Sequence, residues 1–448
     1  MNLKQVHNVY FVGIGGIGMS ALARYFYAIG KKVSGYDKVS TKITDQLKAN
    51  GASIHFVDDV NLIEVDFKQK TNTLVVYTPA IPDNHKELNY FKDEGFTILK
   101  RAEVLGMITE DSFCFAVAGT HGKTTTSSIL GHILQPYNAT SFLGGISENY
   151  KSNLILGGDK LSVVEADEFD RSFLKLSPNI ACITSTDADH LDIYGNHEEL
   201  QGSFKDFADK VSSKLLVAKG IDIDGITYAV EEKADYEIQN VTIRNGNYVF
   251  DVKTTKEVLK NVEFSLPGKH NLMNALAALA MADSYEIPLE EIKKSLKTYK
   301  GVERRFSYKI KTDELVLIDD YAHHPTEINA VYEAIDEMYP KEKNMVVFQP
   351  HLFSRTKDFA EGFAMSLAKF DKVLLLDVYP ARELPIDGVN SQWLLEKIRN
   401  ENKKLTSRGN LVEEIKKSEA KVVAMLGAGD IGVMIEEVTN QLNSTEKV

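Results

Sequence analysis

The stretch Phe113-Cys114-Phe115-Ala116-Val117-Ala118-Gly119-Thr120-His121-Gly122-Lys123-Thr124-Thr125 runs from an apolar segment straight into a glycine-bounded turn and then a helical pattern. A short apolar run that stops at a glycine reads as a buried strand. After such a strand, backbone amides and a lysine cradle the β- and γ-phosphates of a nucleotide, and a threonine hydroxyl reaches Mg²⁺. Gly119, Thr120, His121, Gly122, Lys123, Thr124 and Thr125 are therefore the candidate phosphate contacts. The spacing departs from the usual phosphate loop, because Val117 stands where its first glycine belongs.

Upstream, Val9–Val12 is followed by Gly13-Ile14-Gly15-Gly16-Ile17-Gly18-Met19-Ser20 and a helical run, Ala21–Ile29. Glycines there permit a tight turn and let a pyrophosphate approach the helix N-terminus. Asp37 ends the next strand pattern, Lys32–Tyr36, where an acid commonly meets a ribose hydroxyl. Taken alone this second motif says NAD or FAD, but another nucleotide diphosphate satisfies the same geometry.

Strand patterns at Ser53–Phe56 and Thr73–Tyr77 complete a first block of alternating strands and helices. The second block reaches about Glu303 and includes an irregular stretch, Ile221–Phe264, expected to form an antiparallel annexe. The third shows strands at Leu315–Ile318, Asn344–Phe348, Lys372–Leu376 and Lys421–Leu426. Strands alternating with helices imply parallel sheets covered on both faces. The fold class is α/β in three domains: residues 1–106 Rossmann-like, 107–304 a phosphate-loop ATPase type, and 305–448 Rossmann-like again.

Ligands of parallel sheets bind at the carboxyl ends of strands. There the second block offers Leu161-Ser162-Val163-Val164-Glu165-Ala166-Asp167-Glu168, with Glu165, nearest the strand, as the candidate Mg²⁺ carboxylate. Asp189-His190 follows another strand, and His190 is a candidate metal ligand. His270, Asn271 and Asn274 precede the helix Ala275–Ala282. The third block adds Asp319-Asp320-Tyr321-Ala322-His323-His324-Pro325, then His351 and Arg355. Adjacent histidines rarely aim at one ion, which discounts zinc.

Composition narrows the function classes. With 448 residues the chain exceeds one core. A formal charge of -12 argues against nucleic acid and anionic membrane as partners. Cys114 and Cys182 read as small core residues of a reducing compartment. Neither a signal peptide nor a membrane-length apolar run is visible, so a cytoplasmic address is expected.

In this order, Gly13–Ser20, Gly119–Thr126, Glu165–Asp170, Asp189-His190, His270–Asn274, Arg304–Phe306, Asp319–Pro325 and His351–Thr356 resemble the Mur ligases over essentially the whole chain. The Gly13–Ser20 and Asp319–Pro325 forms favour the alanine-adding branch. The resemblance implies ATP-dependent joining of L-alanine to the lactyl carboxylate of UDP-N-acetylmuramate, through an acyl phosphate, in peptidoglycan precursor synthesis. ATP and Mg²⁺, with Mn²⁺ able to substitute, are the implied cofactors. A monomer or weak dimer is expected.

Carried onto this chain, Gly13, Gly15, Gly16, Ile17, Gly18, Met19, Ser20, Asp37 and Arg101 serve the UDP-sugar. Lys123 and Thr124 meet the phosphates. Thr124, Glu165 and His190 hold metal. His270, Asn271, Asn274, Arg305, Asp320 and Tyr321 serve ATP, and His324, His351 and Arg355 the substrate carboxylate and alanine. Lys123, His190 and Arg355 would be catalytic. Ser185-Thr186-Asp187 replaces a frequent Asn-Ile-Glu, and Leu352 a basic residue of some members. Gln201-Gly202-Ser203 stands where several siblings carry a carbamoylated lysine, so none is expected here. The alternatives are the related ligase that recycles murein tripeptide and an NAD-dependent oxidoreductase; the latter leaves Gly119–Thr125 unexplained.

Overall fold

The computed structural model describes residues 3–187, 197–244, 246–381 and 383–443. The first of three sheets has β1 (Asn8–Val12), β2 (Lys32–Tyr36), β3 (Ser53–His55), β4 (Thr73–Tyr77) and β5 (Thr97–Lys100) in the order β3-β2-β1-β4-β5. All its pairings are parallel. Every residue of β1 is buried, which is why its sequence is a continuous run and not an alternation. Three helices connect these strands, α1 (Ile17–Ala28), α2 (Lys42–Ala49) and α3 (Lys86–Asp93), and α4 (Arg101–Glu110) follows β5. The order reverses at β1, so the turn after β1 lies at the switch point where such sheets bind ligands.

The second sheet is built on β6 (Phe113–Ala118), which leads into α5 (Lys123–Leu134). Its flanks are β7 (Thr140–Ser147), β8 (Ser152–Ile155), β9 (Leu161–Glu165) and β10 (Ile180–Ile183). After α6 (His197–Ala208) come β11 (Lys214–Ala218), β12 (Ile226–Val230), β13 (Tyr236–Arg244), β14 (Asn247–Lys253) and β15 (Val258–Phe264). The order is β15-β14-β13-β12-β11-β10-β6-β9-β7-β8, with β6 parallel to both β9 and β10. Cys114 and Cys182 are buried thiols, and burial pushes them up to about 11 and about 12.

The annexe departs from its expected direction only where it begins, since β12 pairs in parallel with β11 and β13. β13, β14 and β15 are sheet neighbours joined by connections of a few residues, which fit antiparallel pairing. The alternating burial along β14 reports only that one face meets solvent; it does not fix which way a strand runs. A second shift concerns α7 (Lys269–Ser284), which begins well before Ala275. His270 and Asn271 are thus in its first turn, and Asn271 donates from Nδ2 to the Pro267 carbonyl at 2.7 Å. α8 (Leu289–Thr298) follows.

The third sheet orders β16 (Ser307–Lys311), β17 (Val316–Asp320), β18 (Asn344–Phe348), β19 (Lys372–Leu375), β20 (Lys403–Leu405) and β21 (Val422–Leu426) as β16-β17-β21-β18-β19-β20. Only β16 is antiparallel to its neighbour.

The chain separates into two compact units. Unit 1 comprises residues 1–241, 250–263 and 273–300; unit 2 comprises 242–249, 264–272 and 301–448. The first sheet and most of the second share unit 1 and one apolar core, in which Phe11, Leu22 and Phe26 join Ala116, Phe142 and Val164. The rings of Tyr25 and Phe142 lie 5.3 Å apart across that junction. Among the described residues no helix is long and apolar enough to cross a membrane.

Candidate active site

In unit 1 the turn after β6 gathers most of the chemistry. Gly122 caps α5 with φ +83°, a left-handed conformation that glycine adopts without a Cβ penalty. This aims the first amides of α5 outward, as an anion requires. Lys123 folds back over the turn. Its Nζ donates to the Gly119 carbonyl at 2.6 Å and stands 2.7 Å from Oε2 of Glu168. Thr124 donates from its hydroxyl to Oε1 of Glu165 at 3.0 Å. Gly144 of β7 donates its amide to the other carboxylate oxygen at 2.9 Å, and a side chain there would collide with Glu165. Lys123, Thr124, Glu165 and Glu168 therefore form one cluster.

The rest of the turn is held from β10. Ser185 accepts from the His121 amide at 3.0 Å, and its Oγ lies 2.6 Å from that of Thr120. Thr184 donates to the carbonyls of Ala118 and His121. Ser185 thus shapes the phosphate turn, while Asp187 reaches His121 only at 3.9 Å. Thr125 is buried in the first turn of α5. Asn274 receives a hydrogen bond from Thr126 at 3.2 Å and lies under Gly122. Asp189 and His190 lie outside the described residues.

Glu168 is the residue the sequence reading missed. It was indistinguishable from a solvated loop acid, yet its side chain has no exposed surface. The available signal was indirect: a lysine in a buried turn needs a carboxylate, and three acids follow β9. Loop geometry alone ranks them.

The turn after β1 is closed by its own chain. Asp37 accepts from the Gly15 amide at 2.7 Å through one oxygen and from Val39 at 3.2 Å through the other. Arg101, the first residue of α4, lies over Gly18 and comes within 3.5 Å of Asp167. Met19 and Ser20 are buried, with Ser20 donating to the Ile17 carbonyl at 2.9 Å. Asn153 of β8 also donates to Ile17, at 2.6 Å, and to Ser20. Met19 and Ser20 therefore support α1 from inside, whereas the Gly13–Gly18 backbone faces the switch point.

In unit 2, Asp320 ends β17 and is buried. Its oxygens accept from the amides of Phe306 at 2.6 Å and Ala322 at 2.7 Å, and burial raises it to about 6. The guanidinium groups of Arg304 and Arg305 lie 4.9 and 5.5 Å from the centre of the Tyr321 ring, within cation–π reach. His270 is exposed at the start of α7, and partial removal of its ring from water, then the Arg305 charge, lowers it below the ordinary imidazole range.

The adjacent histidines divide their work. His324 accepts from Thr326 at 3.3 Å, capping α9 (Pro325–Met338), and packs on Phe359. His323 instead donates from Nδ1 to the Tyr321 carbonyl at 2.9 Å and lies 6.2 Å, ring to ring, from His351. His351 stacks on Tyr379 at 5.7 Å, and its buried Nδ1 has no hydrogen-bond partner among the described residues. Burial, then His323 and Arg355, lower it to about 4. The structure thus groups His323, His351 and Arg355, where the sequence reading had named His324. Leu352 carries φ +69°, a strained conformation for a branched residue at this strand end.

Comparison with known proteins agrees along the whole chain. Residues 8–112 match the Mur ligase family catalytic domain, 117–282 the Mur ligase middle domain, and 304–435 the Mur ligase glutamate ligase domain. A UDP-N-acetylmuramate–L-alanine ligase of Flavobacterium johnsoniae is 58% identical over 447 residues, covering 99% of each chain. The crystal structure of a UDP-N-acetylmuramate–alanine ligase from Thermotoga maritima superposes with a TM-score of 0.84 at 28% identity, over 98% of this chain and 99% of that one. A murein peptide ligase from Psychrobacter arcticus reaches 0.68 at 19% identity, over 97% and 98%, which speaks for the shared fold alone. On these matches the chain belongs to the Mur ligase family.

Proposed function

We propose that this chain uses ATP to join L-alanine to the lactyl carboxylate of UDP-N-acetylmuramate, releasing ADP and phosphate, as a step in peptidoglycan synthesis. One observation carries the reading. Two glycine turns stand at strand ends of one unit, and only the second is furnished with Lys123, Thr124, Glu165 and Glu168. The first suits a nucleotide held as a handle and the second a nucleotide that reacts.

A carboxylate does not condense with an amine at neutral pH, because its oxygen is too poor a leaving group. In the proposed path the lactyl carboxylate attacks the γ-phosphorus and ADP departs. The amine of alanine then attacks the acyl phosphate, and inorganic phosphate leaves. Two anions meet in the first step, so Lys123 must leave Gly119 for the phosphates and offset their repulsion. Thr124 and Glu165, hard oxygen donors 3.0 Å apart, fit Mg²⁺, which would supply Lewis-acid polarisation of the phosphoryl oxygens. Few protein ligands suit an ion that keeps waters and substrate phosphates in its shell. His190 and Mn²⁺ substitution belong to the same proposal.

The Gly13–Gly18 backbone, Asp37 and Arg101 are assigned to the UDP-sugar, with Met19 and Ser20 as internal support. His270, Asn271, Asn274, Arg305, Asp320 and Tyr321 are assigned to ATP. His324, His351 and Arg355 are assigned to the substrate carboxylate and alanine, with His323 packed beside His351. Domain boundaries near residues 106 and 304, a monomer or weak dimer, and a cytoplasmic setting complete the reading.

Hydroxylamine trapping tests it. With UDP-N-acetylmuramate, ATP and magnesium but no alanine, a muramoyl hydroxamate should accumulate as ADP appears. Normal ligation with alanine but no hydroxamate would remove the acyl phosphate.

A further inference from the structure

Arg24 sits on α1 about two turns beyond the glycine turn. It borders a cavity of about 230 Å³ in unit 1, whose lining includes Tyr27, Leu47, Asn50, Ser152 and Leu154 together with three alanines. None of the lining residues is acidic. Nη2 of Arg24 donates to the neutral amide oxygen of Gln46 at 2.7 Å. Nε is buried and makes no hydrogen bond among the described residues. Burial alone pulls the guanidinium below its ordinary range, with no carboxylate acting against it.

Arg24 is half-buried beside the exposed Tyr27 and Asn50, and a cation shielded from water in part is commonly answered by an anion. Here only neutral groups answer it. Asn50 and Tyr27 carry further donors, and Ser152 accepts from the Leu154 amide at 3.0 Å, which leaves its O–H to donate. The remaining wall is hydrocarbon. A guanidinium edge matches a carboxylate in two-point geometry, and the volume holds roughly ten non-hydrogen atoms at interior packing density. That is too small for a nucleotide sugar and too apolar for a bare inorganic anion.

We infer that this cavity is a binding site for a small carboxylic acid with an apolar body, separate from both nucleotide turns. Benzoate is the probe. It is titrated into the full chain with UDP-N-acetylmuramate and a non-hydrolysable ATP analogue present, so that the phosphate sites are filled. Calorimetry and saturation-transfer NMR should show saturable binding with Kd about 1 mM or tighter. Benzamide, of the same shape without charge, should bind at least tenfold more weakly, and so should benzoate to Arg24→Met. Inorganic phosphate should displace benzoate poorly. Absence of saturable binding, equal affinity for benzoate and benzamide, or phosphate competing as well as benzoate would each overturn the site. Should Arg24→Met fail to fold, Leu154→Trp fills the cavity and keeps the guanidinium; benzoate affinity unchanged in that variant overturns the site equally.

Discussion

The two strand–turn–helix elements of unit 1 share a backbone plan and differ in charge. After β1, the acid Asp37 is consumed by its own turn, and the nearest cation, Arg101, arrives from another helix. After β6, a lysine, a threonine hydroxyl and two carboxylates converge within hydrogen-bonding distance. A turn whose polar groups satisfy one another is rigid and can hold a ligand without changing it. A turn whose Lys123 is parked on Gly119 and Glu168 must exchange those partners for phosphate, and that exchange is where binding couples to reaction.

The largest expected effect breaks the second turn alone. Lys123→Ala should cut alanine-dependent ADP release at least ~10³-fold, about 4 kcal/mol of transition-state stabilisation, while UDP-sugar affinity stays within about twofold. Turnover near wild type would end the assignment; an equal loss of UDP-sugar binding would erase the distinction between the turns.

Acid sensitivity separates the charged turn from the third sheet. His270 is lowered from 6.5 to about 4, so the unfolded chain takes up its proton first. Stability from the neutral imidazole is fully present above pH 6.5 and falls as pH drops toward 4, by less than a buried ring would lose, because water screens the exposed side chain. In urea titrations across that window, His270→Asn should flatten the slope. An unchanged slope would move the acid sensitivity elsewhere, the carboxylates of the second turn included.

Glu165→Gln should lower kcat by ~10²-fold, about 2.7 kcal/mol, and raise the magnesium concentration needed for half-maximal rate. Loss of rate without any change in magnesium demand would leave Glu165 as a prop for Thr124 only.

The smallest effect sharpens the first turn. Asp37→Ala frees the amides of Gly15 and Val39, and the UDP-sugar KM should rise about tenfold, near 1.4 kcal/mol, with kcat unchanged. A matching fall in kcat would mean that the handle also acts in the chemical step.

Much of this was legible in the chain. Apolar runs ending in glycine placed both turns, because a buried parallel strand must be continuous in hydrophobicity and must stop where the backbone reverses. The order of motifs named the family. Periodicity could not supply the parallel pairing of β12 with β13, since alternation records burial and not polarity of the chain. Nor could it separate the contacts of His323, whose ring lies near His351, from those of His324, which caps α9, since those depend on where α9 begins.

Local sequence by itself determined the strands, the turns and the residue types that could handle phosphate, because hydrogen-bonding capacity, backbone freedom and hydrophobicity are properties of short segments. Tertiary structure alone decided that Glu168 answers Lys123, that Gly144 fixes Glu165 and that Ser185 shapes the phosphate turn. Those pairings join residues 21 to 64 positions apart. Electrostatic and hydrogen-bond energies depend on distance and on exclusion of water, and neither exists until the sheet has brought the strand ends together.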